Sequence, residues 1–150
     1  MRCTRAGDAD RAALRALWKQ AFGDDDETID AFFDTLFPLC DAFAAREGGA
    51  LCAMLFCLPQ TLVRDGREER AAYIYAVATD ERWRHRGACR GLLQYAEKKL
   101  KSRGVVLLML LRSALGKKLI RVSVTRGMPE KRFLMLYIGS HVICVLGAAA

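Results

Sequence analysis

Arg84, His85, Arg86, Gly87, Ala88, Cys89, Arg90 and Gly91 run consecutively, directly after a strand-like segment, Tyr73-Ile74-Tyr75-Ala76-Val77-Ala78-Thr79, and a polar turn. This order of residue types suits anion binding. A helix that opens on small residues leaves several backbone N–H groups without intrahelical partners, and the helix dipole favours negative charge there. Arg84, Arg86 and Arg90 add side chains whose planar forks pair with phosphate oxygens. The segment reads as a phosphate cradle.

Such a cradle needs a strand before it, a helix after it and a sheet to hold both, and the chain supplies a legible order of elements. Residues 2–6 suit a short first strand. Asp8 or Asp10 can cap a helix on which Leu14, Leu17, Trp18, Ala21 and Phe22 recur at helical spacing, with Gly23 at its end. Asp24-Asp25-Asp26 opens a second helix that buries Ile29, Phe32, Phe33 and Leu36 before Pro38 stops it. The acid run could mimic a metal site, but capping on a solvated surface is the simpler reading.

Strands dominate the middle. Residues 41–46 and 50–58 flank Glu47-Gly48-Gly49, and residues 60–63 and 69–79 flank Arg64-Asp65-Gly66, two hairpin signals. A helix over about residues 87–103 turns Leu92, Leu93, Ala96 and Leu100 inward and ends at Gly104. The apolar run 105–111 reads as a buried strand, and strand–helix–strand in that order predicts a parallel crossover. The fold class is α/β, a mixed and mostly antiparallel sheet flanked by helices.

Composition narrows the function classes. The chain of 150 residues is 53% hydrophobic, enough for a globular core. The net charge of +7 divides unevenly, −5 over residues 1–80 and +12 over residues 81–150. Basicity thus concentrates at the cradle and in the last forty residues, with no aromatic-plus-basic platform, so no nucleic-acid partner is expected. The run 105–111 is far shorter than the roughly 20 apolar residues that cross a bilayer, and no membrane partner is expected. Met1-Arg2-Cys3 leads straight into charged sequence rather than a secretory segment. Cys3, Cys40, Cys52, Cys57, Cys89 and Cys144 lack paired short spacings, and only His85 and His141 could join them. No metal is expected, and a reduced, cytoplasmic protein is the natural expectation.

The segment resembles the acyl-CoA-binding core of the GNAT superfamily of N-acyltransferases. The family's loop pattern, Arg or Gln, two residues, Gly, one residue, then Gly or Ala, falls on Arg84, Gly87 and Cys89. Val77-Ala78-Thr79 matches the end of the family's fourth strand, and Leu92 and Leu93 match the apolar positions of the next helix. The resemblance extends from the N-terminus to about Leu108 and implies a GNAT-like fold. It implies a transferase that passes an acetyl group from acetyl-CoA, its co-substrate, to a primary amine of a small molecule or protein. The pantetheine arm would pair with Val77, Ala78 and Thr79. The pyrophosphate would sit on N–H groups among Arg84, His85, Arg86, Gly87, Ala88, Cys89, Arg90 and Gly91, with Gly87 allowing close approach. Cys89 departs from the family's usual Gly or Ala; as a nucleophile it would have only His85 as an adjacent base. Tyr73 and Tyr75 lie on the strand that should border the amine site. Either could order a water or donate a proton, and each also reads as a packing residue. Asp80 and Glu81 read as loop charges, and no general base is assignable.

Beyond Leu111 the family pattern of a loop, a short helix and two final strands is not found. Arg112-Ser113-Ala114-Leu115-Gly116-Lys117-Lys118 leads instead into an acid-poor stretch ending in Ala148-Ala149-Ala150. A divergent native end would place strands at 120–125, 133–138 and 142–146. A frameshift in the coding sequence near residues 107–112 is the other reading. Shifting back-translated codons at residues 122–126 permits an apolar–Gly–Tyr–Glu segment like the family's own. The chain is then one GNAT-like domain over residues 1–150 with an atypical segment 112–150. A non-catalytic, GNAT-like CoA-binding module is the alternative to an active enzyme. Oligomeric state is left open, a homodimer included.

Overall fold

The computed structural model describes the backbone of residues 1–64, 66–114, 117–124, 133–138 and 141–146, and side chains of residues 1–63 and 66–106. The strands are β1 (Arg2–Ala6), β2 (Asp41–Glu47), β3 (Ala50–Arg64), β4 (Arg67–Thr79), β5 (Leu107–Ala114), β6 (Lys117–Val124), β7 (Phe133–Ile138) and β8 (His141–Leu146); the α-helices are α1 (Arg11–Phe22), α2 (Asp26–Thr35) and α3 (Ala88–Lys101). Strands β1 to β6 form one sheet in sequence order, and β7 and β8 form a second, antiparallel pair. Every pairing in the large sheet is antiparallel except β4 with β5, which α3 connects as a parallel crossover.

The sheet is buried on both faces, which explains why β2 and β3 read as continuous apolar runs instead of alternating ones. Ala42, Ala44, Met54, Phe56 and Ala78 face α1 and α2, where Leu14, Leu17, Trp18, Ile29, Phe32 and Phe33 close one core. Phe43, Ala45, Ala53, Leu55, Cys57, Ala72 and Ile74 face α3, which contributes Ala88, Leu92, Ala96 and Leu100. Leu93 is only partly buried there.

Local rules account for most element ends. Gly23 ends α1 in the left-handed region at φ 72°, its N–H donating to Lys19 O. The Asp25 carboxylate caps α2 by accepting from Thr28 N. Gly48 and Gly49, at φ 55° and 86°, turn β2 into β3, the double positive φ of a tight hairpin.

Several expectations need correction. Asp10 makes no side-chain cap on α1; its carboxylate accepts from Gly7 N and pairs with Arg46. Leu36 is 38% exposed and Phe37 is buried in its place, because the chain tightens into a 3₁₀ turn (Phe37–Leu39) at Pro38. The strand expected to break between 58 and 60 is continuous through Pro59. β2 stops pairing at Asp41↔Cys57, so the edge on which Pro59 lacks a donor is free of β2. Of the second hairpin signal, Asp65 lies outside the described residues; Arg64 and Arg67 pair across it. In the C-terminal stretch, β6 begins at Lys117, earlier than expected, and Thr125 lies outside the described residues.

α1 and α2 run antiparallel and are joined by a ladder of ion pairs at successive turns: Arg11 with Asp34, Arg15 with Asp30, and Lys19 with Asp26. The Lys19 ammonium holds the Asp26 carboxyl below its ordinary value of 3.8, and the Thr28 amide does the same for Asp25. A carboxylate whose folded value is depressed adds stability in full above the ordinary value and loses it as pH falls through the depressed one. Chemical-denaturation stabilities of the native chain and of Asp26→Asn should therefore differ above about pH 4 and converge below it. A gap of constant size down to pH 2 would show that the pair contributes nothing through its charge.

Candidate active site

The site begins with an irregularity in β4. Ala78 pairs with Met54 and Tyr75 with Phe56, so Ala76 and Val77 together oppose the single residue Leu55. Ala76 takes φ 49°, left-handed space that a non-glycine residue enters at a cost. This is a β-bulge, and it bends β4 away from regular pairing. On its other side, β4 pairs with β5 only from Ala71↔Leu107 to Ile74↔Leu110 among the described residues. From Tyr75 onward the two parallel strands diverge. The backbone of Val77, Ala78 and Thr79 therefore borders a gap of the kind an extended ligand can enter by adding main-chain hydrogen bonds.

The gap leads to the cradle. Asp80 follows β4, a 3₁₀ turn (Glu81–Trp83) reverses the chain, and α3 starts after Gly87. Gly87 stands at the helix N-cap at φ 80°, ψ 4°, and α3 has no side-chain cap among the described residues. The N–H groups of the first turn, Ala88, Cys89 and Arg90, are thus presented to whatever lies ahead of the helix. There lies a cavity of about 520 Å³ lined by Thr79, Trp83, Arg84, His85, Gly87, Ala88, Cys89 and Arg90. His85 also has a positive φ, 62°, so two residues of this short loop lie in left-handed space.

The structure sorts the residues expected to bind. Thr79, Arg84, His85, Gly87, Ala88, Cys89 and Arg90 converge on the cavity. Val77 and Ala78 do not line it and instead form the wall of the gap between the strands. Arg86 stands over the Trp83 ring, 5.2 Å from its centroid, outside the cavity lining. The Gly91 amide donates to Gly87 O at 2.9 Å and so is already committed to the helix. Arg84 rests against Glu81 at 3.4 Å. The Cys89 thiol is half-buried; burial raises it above its ordinary value and a hydrogen bond with Thr79 partly offsets this. That environment favours the thiol over the thiolate and does not suit a nucleophile.

Tyr73 and Tyr75 sit side by side, ring centroids 6.1 Å apart, immediately before the bulge. Tyr75 packs on Phe32 at 5.5 Å and on Trp18 at 5.8 Å, so it belongs to the aromatic core as well as to the site. Burial, reinforced by the Asp24 carboxylate, pushes the Tyr75 hydroxyl above its ordinary value. Asp24 is held by Trp18, whose Nε1 donates to Oδ2 at 2.8 Å. Ala76 is not singled out by the sequence, Asp80 reads there only as a loop charge, and Asp24 only as part of a capping acid run. Alanine carries no signal for a left-handed bulge, though Asp80, a short acid directly after a strand, is a recognisable turn-former.

The sequence of residues 2–115 matches the family model described as the acetyltransferase (GNAT) domain. No curated protein sequence matches the chain. Solved structures share the fold. A GNAT family acetyltransferase from Brucella melitensis, in complex with acetyl-CoA, is 18% identical with a TM-score of 0.68, covering 86% of this chain and 91% of its own. The ribosomal-protein-S18-alanine N-acetyltransferase of Escherichia coli is 20% identical, TM-score 0.62, over 77% of this chain and 68% of its own. A probable N-acyltransferase from Enterococcus faecalis is 18% identical, TM-score 0.69, over 75% of this chain, which spans only 29% of that larger protein.

Two glycines of the cradle should respond oppositely to alanine. Gly87 has open space around a Cβ but a left-handed backbone, so Gly87→Ala should cost about 1–2 kcal/mol of stability. Gly91 lies inside α3 with nothing within 4 Å of a Cβ, so Gly91→Ala should stabilise by about 0.5–1 kcal/mol. Urea denaturation of the two variants measures both, and equal shifts would refute the torsional role of Gly87.

Proposed function

Because the chain belongs to the GNAT acetyltransferase family, we propose that it transfers the acetyl group of acetyl-CoA to a primary amine of a small molecule or protein. The observation that carries the reading is that β4 leaves β5 after Ile74 and that its last residue, Thr79, lines the cavity at the uncapped N-terminus of α3. One end offers strand backbone to an extended chain, and the other offers amides and cations to phosphates. A CoA-type molecule has both parts, an amide-containing arm and a pyrophosphate. In this reading Val77, Ala78 and Thr79 pair with the arm, and the amides of residues 87–90 with Arg84, His85 and Arg90 hold the phosphates.

Acetyl-CoA supplies an activated thioester. The amine nitrogen bonds to the acetyl carbon, the carbon–sulfur bond breaks, and the proton lost by the amine balances the one gained by the departing thiolate. The bulge at Ala76 and Val77 frees backbone from the β3 ladder next to that reaction, where an N–H can meet the developing oxyanion. Tyr75, a neutral hydroxyl that burial moves further from ionisation, is the group proposed to donate a proton or order a water, with Tyr73 beside it. Thioester aminolysis of this kind needs no metal. Among the described residues no group of three or more His, Cys, Asp or Glu gathers as a metal site, and no helix is long and apolar enough to cross a membrane. The free thiols of Cys3, Cys40, Cys52, Cys57 and Cys89 suit a reducing, cytoplasmic setting.

A second reading is a module that binds CoA without turnover. It is favoured by the family match ending at residue 115 of a 150-residue chain, beside the segment from 112 read as divergent or frameshifted. Calorimetric titration with acetyl-CoA, followed by thiol release with a panel of amines, decides between them. One-site binding at micromolar strength with turnover supports the enzyme, binding without turnover the module, and no binding refutes both. Tyr75→Phe should leave acetyl-CoA binding unchanged and lower turnover about 10²-fold, the lower range for loss of a general acid or base. Full turnover in that variant would return Tyr75 to a packing role.

A further inference from the structure

Asp80 is the buried charged residue among the described ones, 6% exposed, and the cradle reading gives it no task. A buried carboxylate persists only when its oxygens are satisfied. Here Oδ1 accepts from Arg82 N at 2.9 Å and Arg82 Nε at 3.0 Å, and Oδ2 accepts from the terminal guanidinium nitrogen of Arg82 at 2.8 Å. The backbone of Asp80 is committed too. Its N–H donates to Cys52 O on β3 at 2.9 Å, and its carbonyl accepts from Trp83 N at 2.9 Å. One residue thus joins the sheet, the 3₁₀ turn and a guanidinium through five hydrogen bonds. Arg82 itself, although one of four arginines in the segment, does not line the cavity. Its side chain is largely exposed, yet its fork is occupied by Asp80 in the bidentate geometry that gives the strongest pairs.

We propose that Asp80 is the positioning residue of the cradle: its clamp on Arg82 fixes the β4–α3 loop in the shape that aims the amides of residues 87–90, and it withdraws Arg82 from the phosphates. The proposal rests on the cofactor reading of the cradle. The loop contains two left-handed residues, His85 and Gly87, one of them not glycine. Such a conformation holds only if its ends are fixed. α3 fixes one end through the buried Ala88 and Leu92, and the Asp80 clamp fixes the other. Without it, the amides would have to be ordered at the moment of binding, and that cost would show up as weaker cofactor affinity.

The test uses the full chain in four forms, native, Asp80→Asn, Asp80→Glu and Arg82→Gln, with two readouts. Arg82→Gln alters an exposed side chain and keeps the test open if Asp80→Asn fails to fold. Amide hydrogen exchange in the free protein should accelerate about tenfold at Trp83, Arg84 and Gly91, whose N–H groups donate to Asp80 O, Glu81 O and Gly87 O, in Asp80→Asn and Arg82→Gln, with residues 96–101 of α3 unchanged. Calorimetry with CoA should show the same variants binding about tenfold more weakly, the scale of one lost charge-assisted pair. Asp80→Glu, one methylene longer, should recover part of both effects. Unchanged loop exchange, an equal rise across all of α3, or native CoA affinity in Arg82→Gln overturns the proposal. If the native chain binds no CoA, the cofactor reading fails, while the exchange measurement still judges the clamp.

Discussion

The extra residue of β4 opposite Leu55 is the constraint on which the site depends. A regular ladder through Ala76 and Val77 would commit their backbone groups to β3 and carry β4 on in step with β5. The bulge prevents this, and the strands part after Ile74↔Leu110. Left-handed alanine is a strained state, costing on the order of 1–3 kcal/mol, and it survives because the residues around it are over-determined. Met54 and Phe56 on one face of β3, with Leu55 and Ala53 on the other, are all fully buried, so neither strand can slip register to relieve it. The two cores are therefore what keep the irregularity in place.

The aromatic core also extends to the point where β4 opens. Trp18 contacts Phe22, Phe32, Phe33, Phe56 and Tyr75, and Phe32 stacks on Tyr75. A movement of the α1–α2 pair thus reaches Tyr75 through direct ring contact. The ion-pair ladder between those helices acts on the same assembly from the solvent side, where each exposed pair is individually weak. Its main consequence is register: three pairs at helical spacing match only one alignment of α1 against α2. Asp24, just after α1 and held by Trp18 Nε1, then stands at a fixed place near Tyr75.

Periodicity and turn chemistry made much of the fold legible in the sequence. β1, the two-glycine hairpin, the C-cap at Gly23 and the crossover through α3 arise from residues that have one strongly preferred conformation in their context. The cradle was legible for the same reason, since Arg84 to Gly91 combines small residues with cations at a helix start. What escaped was set by tertiary context. Pro59 looked like a strand end and is not, because only the disposition of β2 shows that its missing donor is harmless. Arg86 reads as one more cradle cation, and only the fold shows its guanidinium over the Trp83 ring, outside the cavity lining. Asp80 looked like a loop charge, since burial cannot be read from a single acid between a strand and an arginine-rich segment. The bulge at Ala76 has no local signature at all.

Small residues on α3 make the cradle rigid. A helix approaches a sheet only as closely as its inward side chains allow, and α3 presents Ala88 and Ala96 among its four buried positions. Alanine at these places brings the helix axis near β2, β3 and β4, and the Ala88 position lies in the very turn that carries the exposed amides. Those amides are therefore held at fixed distance from the edge of β4, because the same residue serves the core and the cradle. Leu92 and Leu100, both buried, prevent the helix from sliding along its axis or rotating about it. The end of the site proposed to hold the phosphates is thus an extension of the core beneath it, whereas Arg84 and Arg90 are side chains that can adjust. Fixed dipoles next to adjustable charges is an arrangement in which a phosphate meets donors already oriented for it, and little ordering remains to be done on binding.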